Sequence, residues 1–188
     1  MRSEKGFTLI EIMIVVAIVG IGAVMAFSNL HGWNRHNSFV GFQREVFSEM
    51  QEARSRAFSM GRQYLLAIDL DAETVLLYRG NAGSGSATCQ EDRATVFASA
   101  GSDIVDIAWL RAGAGATPAA GMFYLVFSPG GDVFQWAGGV LNDLGGGVFQ
   151  LAGGAITPLD TANIQLTNDL GDTATIQLFC WTGKARLS

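Results

Sequence analysis

The sequence has few charged residues and few cysteines. Charged side chains make up 15% of its 188 residues, against about 25% in an ordinary soluble domain. Because hydrophobic residues reach 49% and the mean hydropathy is +0.27, the composition argues against a disordered chain. The two cysteines form neither a CxxC pair nor a zinc-ligand spacing, which argues against a disulfide-stapled miniprotein. The net charge of −5 argues against a nucleic-acid coat and a basic membrane-surface binder.

The apolar excess is concentrated in one run near the N terminus. Residues 1–6 form a short polar leader, and the following run from Phe7 to Leu30 carries a single charge, Glu11. A helix of 24 residues spans about 36 Å, enough to cross a hydrocarbon core of about 30 Å. The sequence therefore predicts a transmembrane helix over residues 7–30, with the leader on the cytoplasmic side and the remaining chain outside.

Other kinds of apolar segment fit this run less well. A secretory signal peptide has a shorter apolar region followed by an A-x-A-like site, which is missing here. A soluble helix of this length would be weakened by its β-branched residues and glycines. A plain single-span anchor fits the length but leaves Glu11 unexplained, because a carboxylate costs about 2.5–3.5 kcal/mol at mid-bilayer.

The residues around Glu11 form a motif. The segment GFTLIE, residues 6–11, follows a short basic leader and precedes the apolar run. It resembles the class III signal of type IV prepilins and type II secretion pseudopilins. The resemblance implies that a prepilin peptidase cuts between Gly6 and Phe7 and methylates the new amine of Phe7. It also implies that Glu11 pairs with the amine of a neighbouring subunit, so that the partners are other pilins or pseudopilins, the peptidase and the inner membrane.

The physical chemistry of a buried carboxylate agrees with this role. A carboxylate without a partner in lipid is unfavourable, whereas one that faces an ammonium group in a low dielectric is not. Glu11 would therefore be stable in the interior of a filament only when neighbouring subunits are aligned so that its carboxylate faces an ammonium group.

Residues 31–61 continue the helical pattern but are amphipathic. Six apolar residues recur at spacings of three and four and define one helix face: Phe39, Phe42, Val46, Met50, Ala53 and Ala57. Gly61 is a candidate residue for ending this helix. The two helical segments together predict one long rod whose second half packs on a globular head.

Residues 62–188 are predicted to form that head as a mostly antiparallel β-sheet, which makes the fold class α+β and the architecture type IV pilin-like. Strand patterns start with a hairpin, 64–70 and 75–79, and end with another that turns at 170–172. Between them we expect a loop over 80–92, which contains Cys89. Twelve of the 24 glycines fall between 113 and 154, so this stretch is also predicted to be rich in loops.

Three shorter segments of the head carry a second resemblance. QEARSRA at 51–57, FSPGG at 127–131 and GKAR at 183–186 resemble segments of the GspH/FimT group of minor pilins and pseudopilins. The glycine-rich stretch departs from the pattern of that group.

Signatures of catalysis are missing from the sequence. It holds no G-x-S-x-G elbow, no H-E-x-x-H and no Walker motif. His31 and His36 lack a metal-spaced partner, and the aspartates near 69–71 and 169–172 fit solvated turns better than a calcium site. We therefore expect no enzyme activity, no cofactor and no metal.

The cysteines and the C-terminal tail leave alternatives open. Cys89 and Cys180 form either a disulfide outside the cytoplasm or a loop thiol and a buried thiol. Lys184 and Arg186 are the only cations after Arg111 and alternate on the final strand, so both face one side. They fit an ordinary edge strand better than a DNA contact, although FimT-like tails of this kind are associated with DNA uptake.

The sequence therefore predicts a structural subunit of an envelope filament. It would be a minor pilin or pseudopilin, anchored once in the inner membrane with its head in the periplasm, that helps to initiate or cap a type IV pilus or a type II secretion pseudopilus. The alternatives are a DNA-receptor minor pilin and a plain membrane-anchored β domain with a binding role.

Overall fold

The fold consists of one helix followed by a head of strands. The computed structural model describes residues 8–99, 101–111, 114–116 and 121–188, and the side chains of these residues except 25–31, 105–111 and 114–116. The predicted α+β class is confirmed. In this part of the chain α1 (Leu9–Met60) precedes twelve strands, which are β1 (Tyr64–Asp69), β2 (Thr74–Gly80), β3 (Thr88–Glu91), β4 (Val96–Phe97), β5 (Ser102–Arg111), β6 (Ala114–Ala116), β7 (Met122–Phe127), β8 (Val133–Gly145), β9 (Val148–Pro158), β10 (Thr161–Asn168), β11 (Thr173–Phe179) and β12 (Lys184–Leu187).

The helix α1 is continuous over 52 residues. It begins after Thr8, which has an extended backbone. The side-chain oxygen of Thr8 caps the first turn by accepting a hydrogen bond from the Glu11 amide. It ends where Gly61 adopts the left-handed conformation with φ 62°, because that backbone cannot continue a right-handed helix. The helix end predicted at Gly61 is therefore confirmed.

The second half of α1 packs on the head through the predicted apolar stripe. All six stripe residues, from Phe39 to Ala57, are at most 2% exposed. They share one core with the inner faces of both sheets, where Leu125 of β7 and Ile164 of β10 are fully buried. The 3.6-residue periodicity of the sequence thus located the packed face of the helix correctly.

The larger sheet closes on itself. Its strands neighbour one another in the order β1, β7, β8, β9, β3 and β2, and β2 pairs again with β1. The short strand β4 pairs with the first residues of β2. The β1–β2 hairpin is the one predicted from the sequence, with Tyr64 opposite Arg79.

The smaller sheet has the order β12, β11, β10, β5 and β6. The predicted hairpin through residues 170–172 is present as β10–β11, with Ile164 opposite Ile176. The last strand, β12, pairs with β11 and is an edge of this sheet. The pairs in both sheets are antiparallel throughout the described residues.

The closed sheet contains a second core, which the sequence analysis did not anticipate. Alternate residues of β1 and β7 face opposite ways, so that Leu66 and Leu125 face α1 while Leu65 and Val126 face the interior of the ring. The second core is completed by Trp136, whose ring centroid lies 5.1 Å from that of Tyr124. The uninterrupted apolar runs of β1 and β7 were the signal for this core, because a strand buried on both faces has no polar alternation.

The predicted loop over 80–92 is partly wrong, and the stretch 113–154 contains more strand and less loop than its glycine content predicted. Residues 88–91 form β3, and most of the glycine-rich stretch forms the long hairpin β8–β9. The reason is steric. A Cβ atom on Gly139 or Gly154 would overlap the indole of Trp136, so glycine lets the hairpin backbone close over this ring. The sequence analysis interpreted these glycines as loop residues, whereas they allow close contact.

Candidate functional site

The N-terminal part of α1 is an exposed apolar surface. Between Leu9 and Val24, eleven large apolar side chains are 55–78% exposed, and they lie on every side of the helix. Among the described side chains of the helix, the first buried one is that of Phe39, which lies about 45 Å along the helix from Leu9 at 1.5 Å per residue. Soluble monomers rarely expose apolar surface on this scale, which marks an interaction surface for lipid or protein.

Glu11 is the one charged residue of this surface between Thr8 and Val24. It lies in the first turn of α1, where the helix dipole favours an acidic side chain. Glu11 lines a shallow groove together with Ile12, Val15 and Val16. Gly6 and Phe7, the predicted sites of cleavage and methylation, lie outside the described residues.

Two contacts hold the exposed segment where it reaches the head. Arg35 of α1 pairs with Asp169, and His36 Nδ1 lies 2.8 Å from Asp172 Oδ2. Both carboxylates belong to the turn of the β10–β11 hairpin. We call these four side chains the clasp. The hydrogen bonds from His36 and Asn168 lower the pKa of the Asp172 carboxyl below its usual value.

The hairpin turn is held in shape by hydrogen bonds of its own. Asn168 Oδ1 accepts hydrogen bonds from the amides of Leu170 and Asp172, at 3.1 and 2.8 Å, and its Nδ2 donates to Asp172 Oδ2 at 2.9 Å. Because the turn already has this geometry, pairing with α1 costs little additional ordering. The sequence analysis assigned Asp169 and Asp172 to solvated turns and found no metal-spaced partner for His36. It missed the contact between His36 and Asp172.

A second group of ion pairs ties the middle of α1 to the loop after β3. Arg56 pairs with Glu52, at 2.7 Å, and with Asp92. Glu49 Oε1 forms an ion pair with Arg93 Nη1 at 3.2 Å, but Glu49 Oε2 is buried without a hydrogen-bond partner. Burial raises the pKa of the Glu49 carboxyl, although Arg93 opposes this shift.

The end of α1 covers the edge strand β12. Arg54 Nε donates to the Thr182 carbonyl oxygen at 2.7 Å, and Gln51 Nε2 donates to the Ala185 carbonyl oxygen at 3.4 Å. Lys184 and Arg186 are exposed on the face of β12 opposite to its inward residues, as the strand alternation predicted. Neither cation forms an ion pair with a carboxylate whose side chain the structure describes.

The two cysteines are not bonded to each other. Both thiols are free and buried, with Cys89 in the second core and Cys180 in the core beside α1. The disulfide that the sequence left open is therefore not formed in this structure, because the two side chains belong to separate cores. Cys89 also lies in a strand and not in the predicted loop. Burial raises the pKa of each thiol to about 12.

Metal ligands do not cluster in the part of the chain that the structure describes. No group of three or more histidine, cysteine, aspartate or glutamate side chains there could hold a metal ion. Asp69 Oδ1 accepts from the amides of Asp71 and Ala72, both at 2.9 Å, so it organises the β1–β2 turn. The side chain of His31 is not among those described.

Comparison with known proteins bears on the N-terminal segment. Residues 1–27 match the family model of the prokaryotic N-terminal methylation motif. The chain carries a prepilin-like leader. This motif indicates a type IV pilin-like protein that is anchored in the membrane of the cell envelope, is processed by prepilin peptidase and assembles with other pilins. The match ends within the exposed part of α1 and includes no residue of the head.

Two further findings concern the helix and the chain as a whole. No helix among the described residues is both long enough and apolar enough to cross a membrane. No solved structure matches the chain.

Proposed function

We propose that this protein is a structural subunit of an envelope filament, a minor pilin or pseudopilin of the GspH/FimT group. It would help to initiate or cap a type IV pilus or a type II secretion pseudopilus, and it would have no enzyme activity. Before assembly, residues 7–30 would hold it in the inner membrane with the head in the periplasm.

One observation carries this proposal. The exposed segment of α1 is apolar on every side, so it can be covered all around by neighbouring helices as well as by lipid. A helix that packed only on its own head would need a single apolar stripe, as the second half of α1 has. The same helix therefore has one part suited to a bundle of subunits and another suited to the head.

Glu11 would determine how neighbouring subunits align in the filament. Cleavage after Gly6 would create an amine at Phe7, four residues before the carboxylate. An amine and a carboxylate in apolar surroundings attract strongly, whereas either group alone is unfavourable there. A subunit would therefore enter the filament only where its Glu11 meets the Phe7 amine of a neighbour.

The test compares incorporation of variants into sheared filaments, relative to the amount in the membrane. Glu11→Ala should reach the membrane at least as well as wild type, because it removes a charge from an apolar run, but should be depleted in filaments. Glu45→Ala is the matched control, since Glu45 is an exposed glutamate on the same helix and lies beside the head. Equal incorporation of the Glu11 variant and wild type would contradict the pairing role.

A second candidate function rests on the tail. Lys184 and Arg186 project from one face of β12, which suits a weak, salt-sensitive contact with the phosphates of DNA. The net charge of −5 opposes such binding. A gel-shift series at low salt with the detergent-solubilised chain would compare wild type with the double variant Lys184→Glu/Arg186→Glu. A shift that only wild type shows would favour a DNA receptor, and no shift or equal shifts would exclude the tail as a DNA site.

A further inference from the structure

The second core encloses a cavity of about 170 Å³. Its deep wall is formed by Leu65, Cys89 and Val126, which are at most 4% exposed. Trp136 and Leu151 form the side next to the β8–β9 hairpin. The cavity opens to solvent between exposed residues, Gly85 on one side and Gly153 and Ile156 on the other.

Three polar side chains that border this cavity, those of Gln63, Ser86 and Trp136, form hydrogen bonds within the protein. Gln63 Oε1 accepts from the Ser86 amide at 3.0 Å. Ser86 Oγ donates to the Ala82 carbonyl oxygen at 3.0 Å and accepts from the Ala82 amide at 3.1 Å. Trp136 Nε1 donates to the Gly153 carbonyl oxygen at 3.2 Å. No side chain that lines the cavity carries a charge, because burial keeps the Cys89 thiol protonated.

The cavity has a rigid wall. The Trp136 ring is held by its hydrogen bond to Gly153, by contact with Tyr124 and by the backbone at Gly139 and Gly154. A side chain fixed in this way cannot turn inward to fill the space. The cavity is therefore a feature of the folded head and not a gap that nearby side chains close.

From this geometry we propose that the cavity is a binding site for a small uncharged apolar molecule with a single aromatic ring. An apolar cavity of about 150 Å³ is large enough for benzene. A charged ligand would lose its hydration without gaining an oppositely charged partner, because no side chain that lines the cavity carries a charge. The site is separate from the exposed helix, so this inference goes beyond the proposed filament role and does not depend on it.

The experiment is a titration of the full chain in detergent micelles with benzene, followed by methyl NMR. We expect saturable shifts of the methyl groups of Leu65, Val126, Leu151 and Ile156, which line the cavity. Ile12 and Val15, on the exposed helix, report benzene that merely dissolves in the micelle and should show no saturation. Sodium benzoate has a ring of the same size with a charge and should produce no saturable shift. If the cavity methyls shift no more than Ile12 and Val15, or if benzoate binds like benzene, the proposal is wrong.

Two variants that fill the cavity test whether benzene binds there. Val126→Phe and Leu151→Phe place a ring inside the cavity and should abolish the saturable shifts of the remaining methyls. The second variant is included because Leu151 is only partly buried, so its replacement should disturb the fold less than the replacement of the buried Val126. Val140→Phe is the matched control, since Val140 is 58% exposed on the same hairpin and does not line the cavity. If either folded filling variant binds benzene as tightly as wild type, the cavity is not the site.

Discussion

The imidazole of His36 hydrogen-bonds to the carboxylate of Asp172, with 2.8 Å between Nδ1 and Oδ2, although 136 residues separate the two in sequence. Together with the pair of Arg35 and Asp169, this contact fastens the tip of the β10–β11 hairpin to α1. It lies just before Phe39, the first residue of the helix that is buried among the described side chains. The clasp therefore determines where the exposed segment of α1 leaves the head.

The clasp should stabilise the head in a pH-dependent way. The pKa of Asp172 in the folded chain lies below its ordinary value of 3.8, so its contribution is fully present above that value and is lost as the pH falls through the folded pKa. Asp172→Asn should lower the thermal midpoint by a few degrees at pH 7, and the difference from wild type should shrink in acid. Asp132→Asn, at an exposed aspartate without an ion pair among the described side chains, should leave the midpoint unchanged. A difference that stays constant down to pH 2 would contradict this role of Asp172.

Glu49 should be destabilising at neutral pH. Its folded pKa is raised from 4.5 by burial, so the folded chain is most stable where Glu49 is protonated and loses that stability as the pH rises through the folded pKa. Glu49→Gln does not titrate and should raise the urea midpoint at pH 7, with a smaller gain at pH 4. Asp132→Asn, at an exposed carboxylate that is not among the groups that shift the Glu49 pKa, is the control and should change little. If Glu49→Gln is less stable than wild type at pH 7, the pair with Arg93 outweighs the cost of burial.

The hairpin glycines should be intolerant of a side chain. Gly139→Ala would place a Cβ atom in the Trp136 indole, and such overpacking costs about 1–3 kcal/mol. Gly130→Ala is the control, because the nearest atom to its Cβ is Asp132 Oδ2 at 3.7 Å, and we expect a change within about 0.5 kcal/mol. Urea denaturation measures both variants. Equal stability of the two would show that the ring is not held as described.

The cysteines should behave as two inaccessible thiols. Both are 1% exposed, and burial raises their pKa values to about 12, so a thiol reagent at about pH 8 should react very slowly with the folded chain. In denaturant, both should react without any reductant. If the denatured chain shows free thiols only after reduction, Cys89 and Cys180 are bonded to each other. The assignment of the two side chains to separate cores is then wrong.

The parts of the fold that follow local rules could be predicted from the sequence. The apolar stripe from Phe39 to Ala57 has helical spacing, and Gly61 is the residue type that ends a helix. The β1–β2 hairpin follows from two apolar segments around a short polar turn. Each of these signals lies within one element and its immediate neighbours.

The remaining features depend on contacts between distant residues. Gly139 and Gly154 are needed because a Cβ atom at either position would overlap the Trp136 indole. Glycine in a sequence does not distinguish such close contact from a loop. The clasp joins residues more than 130 positions apart. Of the candidate assembly site, the sequence predicted Glu11 and the apolar segment, but not how the clasp fixes that segment to the head.

The most direct test of the pilin-like assignment is mass spectrometry of the N terminus of membrane-extracted protein. Cells with prepilin peptidase should yield a chain that begins at Phe7 and carries one methyl group on its amine, whereas cells without the peptidase should yield the full leader. Gly6→Ala at the cleavage site should reduce processing in the first strain. An intact Met1 in peptidase-positive cells would contradict the account.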